Sequence, residues 1–179
     1  MKCAMFLIAI AAMTASAPAA AGPDQFTKGP VITAAGAVTK VDSDVPLPAG
    51  MDWKMDFNVP TAQVGKLNPR IDAAARFINM LAASGVPMSK IHAAVVLHSQ
   101  GLMDVLNDSE YAKESDGAPN PNAAVIKQLI AKGVPVYVCG QSAELSDIKK
   151  ADVIPGVKFA LSAMTVHAML QNQGYTINP

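Results

Sequence analysis

The sequence predicts a single-domain α/β fold: an open, mostly parallel sheet with helices on both faces. Three observations carry that expectation. From Lys54 to the C-terminus, apolar runs bounded by Gly and Pro alternate with segments of helical periodicity. The runs at residues 93–97 and 134–139 contain no charged side chain, as befits strands covered on both sides. The 179-residue chain also suits one domain with an ordinary core.

Taken in order, Met55, Phe57 and Val59 alternate with Asp56 and Asn58, which predicts a first strand stopped by Pro60. Asn68 is suited to cap a helix that has Pro69 in its first position. Over residues 70–83 that helix gathers Ile71, Ala74, Ala75, Ile78, Leu81 and Ala82 on one face, and Gly85 ends it. Residues 91–97 form the second strand, followed directly by His98-Ser99-Gln100-Gly101. A short helix and turn is expected over residues 102–111, then a polar loop over 113–120. Asn120 caps the next helix, whose apolar face holds Ala123, Ile126, Leu129 and Ile130 and which ends at Gly133. A third strand covers residues 134–139. Ser142 then caps a helix to about residue 149, with a start one or two residues earlier also open. Residues 157–161 make the fourth strand, Ser162 caps a helix to residue 173, and residues 175–177 close the sheet.

Ahead of this domain (residues 54–179) lie two other segments. Residues 1–21 read as a signal peptide: Met1 and Lys2 form a positive start, residues 5–13 an apolar core too short to span a bilayer, and small residues follow. Ala19-x-Ala21 fits cleavage before Gly22, and Ala15-x-Ala17 is the alternative. The expectation is an exported chain, periplasmic or secreted, with no stable membrane insertion once the signal is removed. Cys3 leaves with the peptide, so Cys139 is left as a single thiol and no intramolecular disulfide can form. Residues 22–53, rich in Pro, Gly, Ala and Thr, read as an irregular arm packed on the domain or on a neighbouring subunit. With 14 basic and 14 acidic residues, the chain has no charge excess to recruit nucleic acid or an anionic membrane.

Ligands of parallel α/β sheets bind beyond the carboxyl ends of the strands. Three clusters fall there: Asn58 to Thr61 at the end of the first strand, His98 to Gly101, including Ser99, after the second, and Cys139 with Gly140, Gln141 and Ser142 at the end of the third. Cys139 is the candidate nucleophile, since backbone N–H groups at a helix start favour a thiolate and the small Gly140 and Ser142 would leave the sulfur open. The competing reading is a buried strand cysteine acting as a small hydrophobe. His98 either carries a proton or orients a ligand, or it simply bonds a loop carbonyl. His167 reads as a helix-surface or interface residue, and His92 sits at the opposite end of its strand. No cofactor or metal is expected: there is no CxxC, no phosphate-cradling Gly motif, no G-x-S-x-G and no close histidine pair, and the methionines are scattered.

A set of motifs carries a resemblance. Asn79-Met80, Val95-Val96-Leu97-His98, Asn120-Pro121-Asn122, Val136-Tyr137-Val138-Cys139-Gly140-Gln141-Ser142-Ala143, Pro155-Gly156-Val157-Lys158, Ala160-Leu161-Ser162-Ala163-Met164-Thr165 and Gln173-Gly174-Tyr175 together resemble the DsrE-like family, in its exported branch. The resemblance implies a compact parallel-sheet fold and homo-oligomers, usually trimers or hexamers. It also implies a sulfur-carrying cysteine at the position of Cys139, loaded as a persulfide from a donor's sulfane sulfur and unloaded to an acceptor thiol, the partner being a sulfur donor or acceptor protein or a small thiol. His98 matches a family histidine that is usually followed by Gly, where this chain has Ser99. Two other functions compete with sulfur transfer: a non-catalytic oligomer that binds a small ligand, and a thiol redox sensor acting through mixed disulfides.

Overall fold

The computed structural model describes residue 22 and residues 25–179; the expected signal peptide lies outside the described residues. The strands are β1 (Trp53–Val59), β2 (Ile91–Leu97), β3 (Val136–Cys139), β4 (Lys158–Ala160) and β5 (Thr176–Asn178). The helices are α1 (Pro69–Ala83), α2 (Asp108–Lys113), α3 (Ala123–Ala131), α4 (Gly140–Leu145) and α5 (Ala163–Asn172). Every strand pair is parallel, and the sheet order is β4-β3-β2-β1-β5.

That order explains the layers. The steps β1 to β2, β2 to β3 and β3 to β4 all run in one direction, and parallel crossovers are right-handed. Successive crossovers in one direction therefore stack their helices on one face. The step from β4 to β5 returns across the whole sheet, so α5 falls on the other face. The core divides accordingly. On the first face Phe57, Val59, Val95, Leu97, Val136 and Val138 meet Ile71, Ala74, Ile78 and Leu81 of α1 and Val125, Ile126 and Leu129 of α3, all buried. On the second face Ala94, Val96 and Cys139 lie under Ala163, Val166 and Leu170 of α5. Each large aliphatic side chain contributes about 1.5–3 kcal/mol on full burial, so most of the hydrophobic stabilisation comes from the first face.

The helix starts have local causes. The Asn68 side chain accepts from the Arg70 N–H at 2.9 Å, and Pro69, which has no N–H to leave unpaired, opens α1. Ser162 and Thr165 form a reciprocal capping box on α5. Several expected boundaries change. The N-cap of α3 is Asn122 instead of Asn120. The Asn120 carboxamide is used elsewhere, donating to the Asp104 and Leu106 carbonyls and accepting from the Asn122 N–H. The start of the expected loop at residues 113–120 belongs to α2, which Asn107 caps by accepting from the Glu110 N–H. Residues 99–105 form a 3-10 helix. At α4 the helix begins at Gly140, so Cys139 itself takes the N-cap position, and it ends at Leu145.

Between the first turns of α1 and α3 sits a closed polar network. Asp104, fully buried, accepts from Asn122 Nδ2 at 2.9 Å and from Asn68 Nδ2 at 2.6 Å. Asn122 Oδ1 in turn accepts from the Asn68 N–H at 2.7 Å. The arm packs on the domain, pinned mainly by α1. Buried Asn79 accepts from the N–H groups of Val31 and Ile32 and donates to the carbonyls of Ile32, Ala35 and Gly36. Gln128 of α3 accepts from the N–H groups of Thr33 and Ala34. Gly36 has φ 67°, and a Cβ there would lie 2.3 Å from the Arg76 nitrogen, so both conformation and space require glycine.

Candidate functional site

Side chains alternate along a strand, and the parallel register aligns Asn58 with Val96 and Val96 with Tyr137. Asn58, His98 and Cys139 therefore rise on the α5 side at the carboxyl ends of β1, β2 and β3. The sequence-predicted residues do come together. Cys139 has 7% of its surface exposed, against the expectation of an open sulfur. Gly140 is small for a different reason: a Cβ there would lie 2.5 Å from the Ala160 carbonyl oxygen, so the residue lets the β3–α4 corner seat against β4.

The sulfur's surroundings are polar on one side. Burial opposes ionisation of the Cys139 thiol. The Ser142 hydroxyl and the backbone N–H groups of Ser142, Ala163 and Gln141 favour the nearby thiolate and outweigh that penalty, so its pKa falls below the ordinary cysteine value. The donors come from the first turns of both α4 and α5. Ser142 Oγ also accepts from the Ser99 N–H at 3.2 Å, which ties the loop after β2 to the thiol's own partner.

His98 has both ring nitrogens engaged, Nε2 with Asn58 Oδ1 at 2.9 Å and Nδ1 with Ser99 Oγ at 3.0 Å. An amide oxygen only accepts, so Nε2 carries the proton and Nδ1 accepts from the Ser99 hydroxyl. Burial, and then the nearby His167, push the His98 pKa below its usual value, so the ring is neutral at neutral pH. Its connection to Cys139 runs through Ser99 and Ser142. Gly101, at the far end of the same loop, has no room for a Cβ, which would lie 2.1 Å from the Val59 carbonyl oxygen.

Sequence reasoning missed a pair on this face. Asp56 of β1 is fully buried, and its Oδ2 lies 2.6 Å from Nδ1 of His167 on α5. Asp56 Oδ1 has no partner among the described residues. Burial raises the Asp56 pKa, and His167 lowers it by a smaller amount. The expected helix-surface role of His167 gives way to an interior one, with 15% of its side chain exposed. Two signals were available. An aspartate in the middle of an apolar-alternating strand needs a partner if helices cover both sheet faces. His167 also lies four residues after Ala163 and three before Leu170, on the buried stripe of α5.

The DsrE/DsrF-like family matches residues 57–179, which is every element from β1 onward apart from the first residues of that strand. The chain belongs to the DsrE/DsrF-like family. Among solved structures, the protein of unknown function MTH1491 from Methanobacterium thermoautotrophicum is similar over 71% of this chain and 98% of its own, with 17% identity and a TM-score of 0.49. The ychN protein from E. coli is similar over 70% of this chain and 99% of its own, with 15% identity and a TM-score of 0.49. No curated protein matches this sequence.

The residue behind His98 is where the sequence departs from the DsrE-like pattern, with Ser99 in place of the usual glycine. Ser99 has φ 51°, in the left-handed region that glycine enters freely. The serine adopts the glycine-type conformation, and its hydroxyl partners the imidazole. Among the described residues no group of three His, Cys, Asp or Glu side chains is placed to hold a metal ion. No helix of the described residues is long and apolar enough to cross a membrane.

Proposed function

We propose that this DsrE-like chain carries sulfane sulfur as a persulfide on Cys139. The observation that carries the reading is the place of Cys139, at the N-cap of α4 and packed against Ala163 of α5, where one hydroxyl and three backbone N–H groups lower the thiol pKa although the residue is largely buried. A structural cysteine has no need of an anion-stabilising cradle. In the loading step the Cys139 thiolate attacks the outer sulfur of a donor R–S–SH. The donor S–S bond breaks, its electron pair leaves on R–S⁻, which takes a proton from water, and Cys139–S–SH results. In the unloading step an acceptor thiolate attacks that outer sulfur and returns Cys139 as the thiolate. No external oxidant or reductant is required.

We further propose that the chain works as an exported homo-oligomer. Leu145, Leu161 and Met164, which are 89%, 72% and 78% exposed, ring the elements around Cys139, and subunit contact would cover them. Light scattering on the chain without residues 1–21, together with cell fractionation of the full-length protein, tests both points. For sulfur transfer the test is intact-mass analysis after exposure to a persulfide donor. A gain of one sulfur atom that disappears in Cys139→Ser is expected. A wild-type chain that stays a bare thiol, or an adduct that persists in the variant, overturns the reading.

A further inference from the structure

The Asp56–His167 pair has no part in the sulfur chemistry described above. It is nonetheless the costliest polar feature of the sheet: a fully buried carboxylate with one oxygen unpartnered among the described residues. Its position suggests what it does. Ala163, which packs against Cys139, is the first residue of α5, and His167 lies one turn further along the same helix. The apolar seat of α5 is small, with Ala163, Val166 and Leu170 as its buried residues. Two polar ties add to that seat. Lys54 Nζ donates to the Gln173 carbonyl at 2.9 Å at the C-terminal end, and His167 meets Asp56 at the middle of the helix.

We propose that Asp56 and His167 are positioning residues for Cys139: their contact fixes the N-terminal half of α5 on the sheet and so keeps Ala163 and its N–H packed beside the sulfur. The proposal rests on reading Cys139 as the working nucleophile. It assigns a reason to the buried Asp56, whose replacement by an aliphatic residue would otherwise favour packing. Charged and titratable groups facing the pair are Lys54 on β1, His98 after β2, Tyr137 on β3 and Tyr175 before β5. None of these takes a hydrogen bond from the pair among the described residues.

The test measures the alkylation rate of Cys139 by iodoacetamide as a function of pH. In Asp56→Ala and His167→Gln the midpoint is expected to rise by about one pH unit, close to the loss of one charge-assisted hydrogen bond. Asp56→Asn keeps an oxygen for the His167 ring and is expected to shift the midpoint less. A folded Asp56→Ala or His167→Gln with the wild-type midpoint overturns the proposal. A second measurement uses only the wild-type chain: across the Cys139 titration, the Ala163 amide and His167 ring resonances are expected to move with the thiol's midpoint, and a His167 ring that shows no such step overturns the proposal even where the variants fail to fold. If the wild-type midpoint sits at the ordinary cysteine value, the nucleophile reading fails first, and the two failures are thereby distinguished.

Discussion

The two faces of this sheet are made of the same five strands and do different work. On the α1 and α3 face the inward side chains are Phe, Val, Leu and Ile, and the one buried carboxylate at its rim, Asp104, has a partner on each oxygen. On the α5 face a single ten-residue helix crosses the sheet over Asp56, Asn58, Tyr137 and Cys139, and Asp56 keeps one oxygen unpartnered. The asymmetry follows from the strand order, since three crossovers supply the first face and one supplies the second. A thinly covered face leaves helix N–H groups and polar side chains near the strand ends, where a thiolate can form. The thickly covered face supplies the stability that such a site costs.

The comparison breaks most directly under matched truncations. Leu129 of α3 and Leu170 of α5 are both buried. Leu129→Ala is expected to cost about 4 kcal/mol, near the top of the usual range, because it leaves a cavity among close-packed neighbours. Leu170→Ala is expected to cost about 2 kcal/mol, because the α5 layer can settle into the gap. Urea denaturation measures both. Equal losses would mean that the α5 face is packed as tightly as the other.

The buried carboxylates offer the next contrast. Desolvation raises the Asp104 pKa from 3.8 to about 6, although Asn68 donates to it. A folded-state pKa above the unfolded value means that the native state holds the proton more tightly. This contribution to stability is complete below pH 3.8 and is lost as pH rises to about 6. The loss amounts to at most about 3 kcal/mol. Asp104→Asn removes this titration while retaining one acceptor. The stability difference between wild type and variant is therefore expected to shrink over that interval and to be flat above it, as read by urea melts at several pH values.

Much of this was legible in the sequence, for reasons visible at particular residues. Asn68-Pro69 marked the start of α1 because a cap and a fixed φ act locally, and the uncharged run at residues 93–97 marked a central strand because burial on both faces excludes charge. Alternation in β1 and the ends of the uncharged runs also put Asn58, His98 and Cys139 at carboxyl ends of strands, and the sheet order makes those strands neighbours. What escaped depended on distant partners. Asn120 looks like a helix cap until Asp104 and Leu106 claim its carboxamide. The burial of Cys139 depends on α5, which arrives 24 residues later in the chain, counted from Cys139 to Ala163. Asp56 reads only as a polar residue alternating with Met55 and Phe57, because its partner lies 111 residues away.

Smaller effects sharpen the chemistry of the α5 face. Ser142→Ala removes the hydroxyl from the Cys139 sulfur and the acceptor from the Ser99 N–H. The midpoint of Cys139 alkylation is expected to rise by about one pH unit, with a stability loss of about 1 kcal/mol. An unchanged midpoint would assign the low thiol pKa to the backbone N–H groups alone.

The smallest effect is expected at Ser99, where three contributions nearly cancel. A left-handed φ of 51° costs a serine about 1 kcal/mol relative to glycine. Ser99→Gly relieves that cost, but it gives the unfolded chain more freedom and removes the hydroxyl from His98 Nδ1, a bond of 3.0 Å. The expected net change in stability is within about 0.5 kcal/mol of zero. Ser99→Val carries the same φ with a β-branched side chain and no hydroxyl, so it is expected to lose about 2 kcal/mol. If calorimetry finds the valine variant as stable as the glycine one, the loop after β2 relaxes out of the left-handed conformation. The Ser99 N–H would then leave Ser142, and the link from His98 to the thiol would break at that point.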